Sequence, residues 1–127
     1  MEKSMRFYLL LGSINACLSV IFGAFGAHSL KHYITDELIK TFNTGVEYHF
    51  YHSFGLFIIA FAYYILPESK LLKWSGRLMM TGIFLFSFSL YVLSITGISG
   101  IGIITPFGGI AFVSAWALLV IAIIKSD

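Results

Sequence analysis

The chain is 127 residues long, 58% of them hydrophobic and only 11% charged, with a formal net charge of +2 and a mean hydropathy of +0.90. So few charged side chains cannot cover a water-soluble domain, and no basic domain is present to engage nucleic acid. A helix needs about 20 mostly apolar residues to cross a bilayer, so the length allows about four spans in a single integral membrane domain, residues 1–127.

The first apolar window runs from Phe7 to Ala27 without a charged residue and closes on His28. Lys3 and Arg6 before it, and the small residues of Ala24-Phe25-Gly26-Ala27 at its end, have the layout of a secretory signal. The apolar stretch is longer than a signal core, so a span over about 7–28 is expected. Thr35 to Val46 then reads as an amphipathic helix. Thr35 can cap it, Asp36 and Glu37 sit at the positive end of its dipole, and Leu38, Ile39, Phe42 and Val46 form an apolar stripe. Periodicity leaves open whether residues 35–47 lie along the interface or run on into span two, with Thr44-Gly45 as the place for a bend.

The next windows fall at about 48–66, 74–96 and 106–124. Pro67-Glu68-Ser69-Lys70 reads as a turn, Gly97 to Gly102 as a flexible link, and Thr105-Pro106 as the first turn of the last helix. The expected fold class is an all-α membrane protein: a bundle of four transmembrane helices with an amphipathic helical segment between spans one and two.

Orientation follows from the basic residues. Lys3, Arg6, Lys70, Lys73, Arg77 and Lys125 share one side of such a bundle, against Lys31 and Lys40 on the other. The bias places both termini in the cytoplasm of a multi-pass protein of the plasma (inner) membrane, with Tyr63, Tyr64 and Trp74 as an aromatic belt at that interface.

With this topology the polar residues collect at the outer rim. His28 ends span one, Glu47, Tyr48, His49 and His52 open span two, Tyr91 ends span three, and Thr105 opens span four. His28 is expected to hydrogen-bond across to another span. Phe25, Leu56 and Phe107 are the expected apolar walls of a cleft below. On a helix His49 and His52 lie about 60° apart, while Glu47 points nearly opposite, so a one-helix Glu/His/His metal site is not expected. Haem or a metal would need His28 beside His52, which this topology puts at similar depth. Cys17 is alone, without a haem-attachment motif. An interhelical hydrogen-bond network is the preferred reading, without a cofactor. Asn15, in mid-span, needs a partner inside the protein. The rows Gly12, Ala16, Ser19, Gly23, Ala27 and Gly108, Ala111, Ala115 allow close helix packing, within one bundle or in a homo-oligomer.

Gly23-Ala24-Phe25-Gly26-Ala27-His28, Thr44-Gly45-Val46-Glu47-Tyr48 with His52, Phe86-Ser87 with Ser89-Leu90-Tyr91, and Thr105-Pro106-Phe107-Gly108-Gly109 with Trp116 together resemble the YgdD/YwdK-type small membrane proteins. These form a domain family of unknown function, found in bacteria with a eukaryotic relative. The resemblance covers nearly the whole chain and implies a four-span inner-membrane protein without naming an activity. His49 stands where it implies Gln, and Phe88 and Ala115 stand where it implies Gly.

Three functions fit these residues. The first is a binding or accessory protein with a polar outer-rim site for a lipid, a quinone or a partner helix. The second is a small transporter or proton-linked channel acting as an oligomer, opposed by the absence of an ionisable relay through the inner half of span two. The third is a membrane-embedded enzyme, for which no nucleophile with a recognisable partner motif is visible.

Overall fold

The computed structural model describes residues 1–67 and 69–126. All of the regular secondary structure within them is helical. Helix α1 is Lys3–His28, α2 is Asp36–Ile65, α3 is Lys70–Gly82, α4 is Ser89–Thr96 and α5 is Thr105–Ile124. A π-helical segment, Ile83–Phe88, joins α3 to α4, and 3-10 turns at Leu30–His32 and Ser99–Ile103 close the two connections at the other end of the bundle. Glu68, in the expected turn after α2, lies outside the described residues.

Of the two courses left open for residues 35–47, the chain takes the continuous one: the 30 residues of α2 form one unbroken helix. Thr35 is the cap, with its hydroxyl accepting from Leu38 N–H at 3.3 Å. The helix does not break at Thr44-Gly45. A Cβ at Gly45 would stand 2.9 Å from the Tyr91 ring, so this glycine serves the close approach of α4. The expected flexible link of Gly97 to Gly102 is also more ordered than composition suggests. Gly97 takes φ 68° as the left-handed cap of α4, and Ser99–Ile103 is a 3-10 turn.

Helices α1 and α2 run antiparallel along their whole lengths. A Cβ at Gly12 would meet Phe57 and the Ser53 carbonyl, one at Gly23 would meet Val46, and one at Gly26 would meet Phe42. The buried row on α1 therefore includes Gly12, Asn15, Ser19 and Gly26; Ala27 is exposed. Gly108 on α5 lies against the Leu85–Phe86 backbone, and Ala111 and Ala115 continue that buried face.

Three helical stretches, Lys3–His32, Lys70–Thr96 and Ser99–Ile124, are long and apolar enough to cross a membrane. Helix α2 is long enough but falls short in apolarity, because its polar first third is followed by Tyr48, His49, Tyr51 and His52. It is nevertheless the packed centre of the bundle, where Phe42, Leu56 and Ile59 have no exposure at all.

The apolar core has two parts. A large cluster around Leu56, Ile59, Leu72, Met79 and Ala115 fills the end that carries both chain termini. A smaller one of Leu30, Phe42 and Tyr91 fills the loop end. A layer of buried polar side chains lies between them.

Candidate functional site

His49 is the centre of that layer, wholly buried. Its Nε2 lies 3.0 Å from Asn15 Oδ1 on α1, and its Nδ1 lies 2.9 Å from the Tyr91 hydroxyl on α4. The direction of these bonds follows from the far end. Asn15 Nδ2 donates to the Leu11 carbonyl at 2.8 Å and approaches Met80 Sδ at 3.6 Å. A carbonyl only accepts, which fixes the amide orientation and leaves Oδ1 facing His49. His49 therefore donates from Nε2, and its bare Nδ1 accepts from the Tyr91 O–H. A neutral imidazole meets every requirement of this three-helix chain, and neither ring nitrogen is left for a metal or haem.

The ring is also walled in. Phe88 and Phe22 stand with centroids 5.4 and 6.4 Å from it, and Phe22 packs 4.8 Å from the Tyr91 ring. Phe88, which replaces the glycine implied by resemblance, fills the space beside His49. Ser53 on the next turn donates to the His49 carbonyl at 2.7 Å.

His52 turns to α5. Its ring stacks on Phe112 at 3.4 Å and 9°, and its Nδ1 donates to the Tyr48 carbonyl at 2.6 Å. Tyr48 is partly exposed, with its ring 4.6 Å from Phe86. Thr105 shares a 2.7 Å hydroxyl–hydroxyl bond with Ser89. Ser87 Oγ is the one buried side-chain oxygen or nitrogen without a hydrogen-bond partner among the described residues.

The structure departs from three expectations. His28 is exposed, and no side-chain hydrogen bond from it occurs among the described residues. His28 and His52 are also not at one depth: His49 meets Asn15, and His28 lies thirteen residues further along α1, about 20 Å at 1.5 Å per residue. The cause is α2 beginning at Asp36 rather than Tyr48, which carries the histidines past the loop end toward mid-bundle. The two imidazoles do not share a site within the chain. Nor do the expected cleft walls meet, since Leu56 is buried while Phe25 and Phe107 point outward. Glu47 and Tyr51 lie on the exposed face of α2, opposite the buried His49 and His52.

The partner of the mid-span amide was not readable from sequence, because it required the true start of α2. A second grouping also escaped it. At the termini end, Lys3, Tyr8, Tyr63, Lys73 and Arg77 line one cleft of about 560 Å³. The usable signal in the sequence is the placing of Lys73 and Arg77 around Trp74, with Lys3 five residues before Tyr8.

The profile described as "Protein of unknown function (DUF423)" matches residues 22–109. The UPF0382 membrane protein YwdK of Bacillus subtilis (strain 168) is 48% identical over 121 residues, covering 95% of this chain and 98% of that protein. The chain belongs to the DUF423 family. Other relatives include the UPF0382 membrane protein SAB0533 of Staphylococcus aureus (strain bovine RF122 / ET3-1), 39% identical over 122 residues. The UPF0382 membrane protein of Staphylococcus epidermidis (strain ATCC 12228 / FDA PCI 1200) is 38% identical over 122 residues. Each alignment covers 95% of this chain and 98% of the relative. No solved structure matches the chain. Membership fixes a helical membrane protein of unknown function and agrees with the resemblance carried by the glycine, histidine and tyrosine motifs.

Proposed function

We propose that this DUF423 member is a four-span protein of the cell membrane, both termini cytoplasmic, which works as a binding or accessory protein for a partner transmembrane helix. The fourth crossing is assigned to α2 because it packs between the apolar helices at the same height as they do. Its tyrosines and histidines lower its apolarity without adding charge after Glu47.

The observation that carries the reading is the outward direction of Glu47. Its neighbour Val46 faces Gly23, four residues before the end of the charge-free stretch of α1, so the carboxylate starts roughly 6 Å inside that stretch. A carboxylate facing hydrocarbon there is costly unless a partner supplies hydrogen-bond donors. The adjacent aromatic residues Tyr48 and Tyr51 offer contact area. The histidines support binding over transport: His49 is committed to Asn15 and Tyr91, and no carboxylate, imidazole or amine occurs from Phe54 to Leu66 to carry a proton onward.

A photo-crosslinking residue at Tyr51, used in living cells, tests this. A discrete protein adduct that Glu47→Ala abolishes is expected. Lipid adducts alone, like those from an equivalent residue at the exposed Val113 of α5, would overturn the reading.

A further inference from the structure

At the termini end, α1 meets α3 at Gly76. A Cβ there would collide with the Tyr8 ring, so Tyr8 lies flat on the α3 backbone and its hydroxyl donates to the Lys73 carbonyl at 3.4 Å. Tyr63 of α2 stacks behind it, centroids 5.7 Å apart. This aromatic floor supports the cleft of about 560 Å³, whose mouth carries Lys3, Lys73 and Arg77. Among the described residues no acidic side chain lines it. Glu2, the nearest acidic residue in sequence, lies at the cleft's edge, where it caps α1 by accepting from the N–H of Ser4, a lining residue. Arg77 is held over the Trp74 ring at 5.3 Å.

A second hollow of about 420 Å³ continues from Phe7, Tyr8 and Arg77 along the α1–α3 seam, past Leu11, Trp74 and Met80 toward mid-bundle. Cations lie at the mouth, and a largely apolar hollow leads from them along the seam. Two such charges on α3 and one on α1 exceed what snorkelling of a single lysine provides.

We infer that this cleft is a binding site for an anionic phospholipid of the cytoplasmic leaflet. The headgroup phosphate sits among Lys3, Lys73 and Arg77, and one acyl chain lies along Leu11, Trp74 and Met80. Arginine offers paired donors to two phosphate oxygens, while the lysines act as point charges. The inference takes its leaflet from the four-span reading but owes nothing to Glu47, so loss of the partner-helix reading leaves it standing.

Trp74, 55% exposed, reports on the hollow. The test uses the full chain with Trp116→Phe, reconstituted in phosphatidylcholine vesicles containing brominated-chain lipids that quench on contact. Brominated phosphatidylglycerol is expected to quench Trp74 at a mole fraction at least about twentyfold lower than brominated phosphatidylcholine. Lys73→Gln should reduce that preference about fivefold, and the Lys3→Gln/Lys73→Gln/Arg77→Gln variant should remove it. The matched variant Arg6→Gln/Lys70→Gln/Lys125→Gln, with equal charge removed outside the cleft, should retain it. Equal quenching by both lipids in the parent overturns the proposal, as does equal loss in the matched variant, which would mean diffuse surface attraction. Displacement of brominated phosphatidylglycerol by millimolar soluble glycerol phosphate would also overturn it, pointing to a free phosphate ester instead.

Discussion

His49 donates from Nε2 to Asn15 at 3.0 Å and accepts at Nδ1 from Tyr91 at 2.9 Å, and a glutamine can reproduce both bonds with the same polarity. Its amide N–H replaces the ring donor, and its carbonyl replaces the ring acceptor. Resemblance implies Gln at this position, and the geometry supplies a reason why the two side chains are interchangeable. His49→Gln should therefore change stability by less than about 1 kcal/mol. His49→Leu strands the Asn15 carbonyl and the Tyr91 hydroxyl, and should cost at least about 2 kcal/mol, since each buried orphan costs about 1–3 kcal/mol. Reversible unfolding in detergent measures both. Equal losses for the two variants would show that the ring fills space rather than relays hydrogen bonds.

Gly45 holds the same network from another direction. A Cβ there would come within 2.9 Å of Tyr91 Cε1 and 3.1 Å of the Ser87 carbonyl, a backbone atom that cannot swing aside. Gly45→Ala should push Tyr91 from His49, so its effect should overlap that of Tyr91→Phe. A double-mutant cycle should give a coupling of about 0.5–3 kcal/mol, the range found for residues sharing a network. Additive losses would mean that alanine is accommodated without moving the tyrosine.

Among the glycines, Gly108 comes nearest to another element's backbone: a Cβ there would collide with Leu85 and Phe86. Helices in lipid gain stability from such close approach, and the backbone there has no rotamer to relieve the overlap. Gly108→Ala should cost several kcal/mol, beyond the about 1–3 kcal/mol typical of overpacking. Gly100→Ala, with nothing within 4 Å of the added carbon, should be close to neutral. Folded yield by size-exclusion chromatography separates them. A normal yield for Gly108→Ala would require α5 to stand further from the π-helical segment.

Legibility differed from one feature to another for physical reasons. The start of α5 was readable because proline fits the first turn of a helix, and the cap at Thr35 because the acidic residues after it fit the same end. The facing of Glu47 against His49 and His52 followed from helical phase alone. Depth was not readable, because the twelve residues before Tyr48 are polar enough for an interface yet pack along α1 through Phe42 and Val46. That one ambiguity displaced the histidines from the rim and paired His28 with His52 wrongly. The π-helical segment at Ile83–Phe88 leaves no periodic signature over so short a run, and it sets Ser87 inward and Phe88 beside His49.

Whether the chain crosses three or four times turns on α2. Three stretches qualify as spans by apolarity and length, and α2 does not. A chain crossing three times must leave its termini on opposite sides, whereas four crossings put them together, so labelling of the two ends decides the matter independently of hydropathy. In a Cys17→Ser background, cysteines at Ser4 and Ser126 should resist a membrane-impermeant thiol reagent in intact cells and react after permeabilisation. A cysteine at Ser99, exposed in the turn between α4 and α5, should react without permeabilisation. Protection of Ser99 with labelling of both ends would keep four spans and reverse the orientation drawn from the lysine and arginine bias. Labelling at only one terminus would mean that α2 packs in the bundle without crossing, and Glu47 would then need no partner to leave the hydrocarbon.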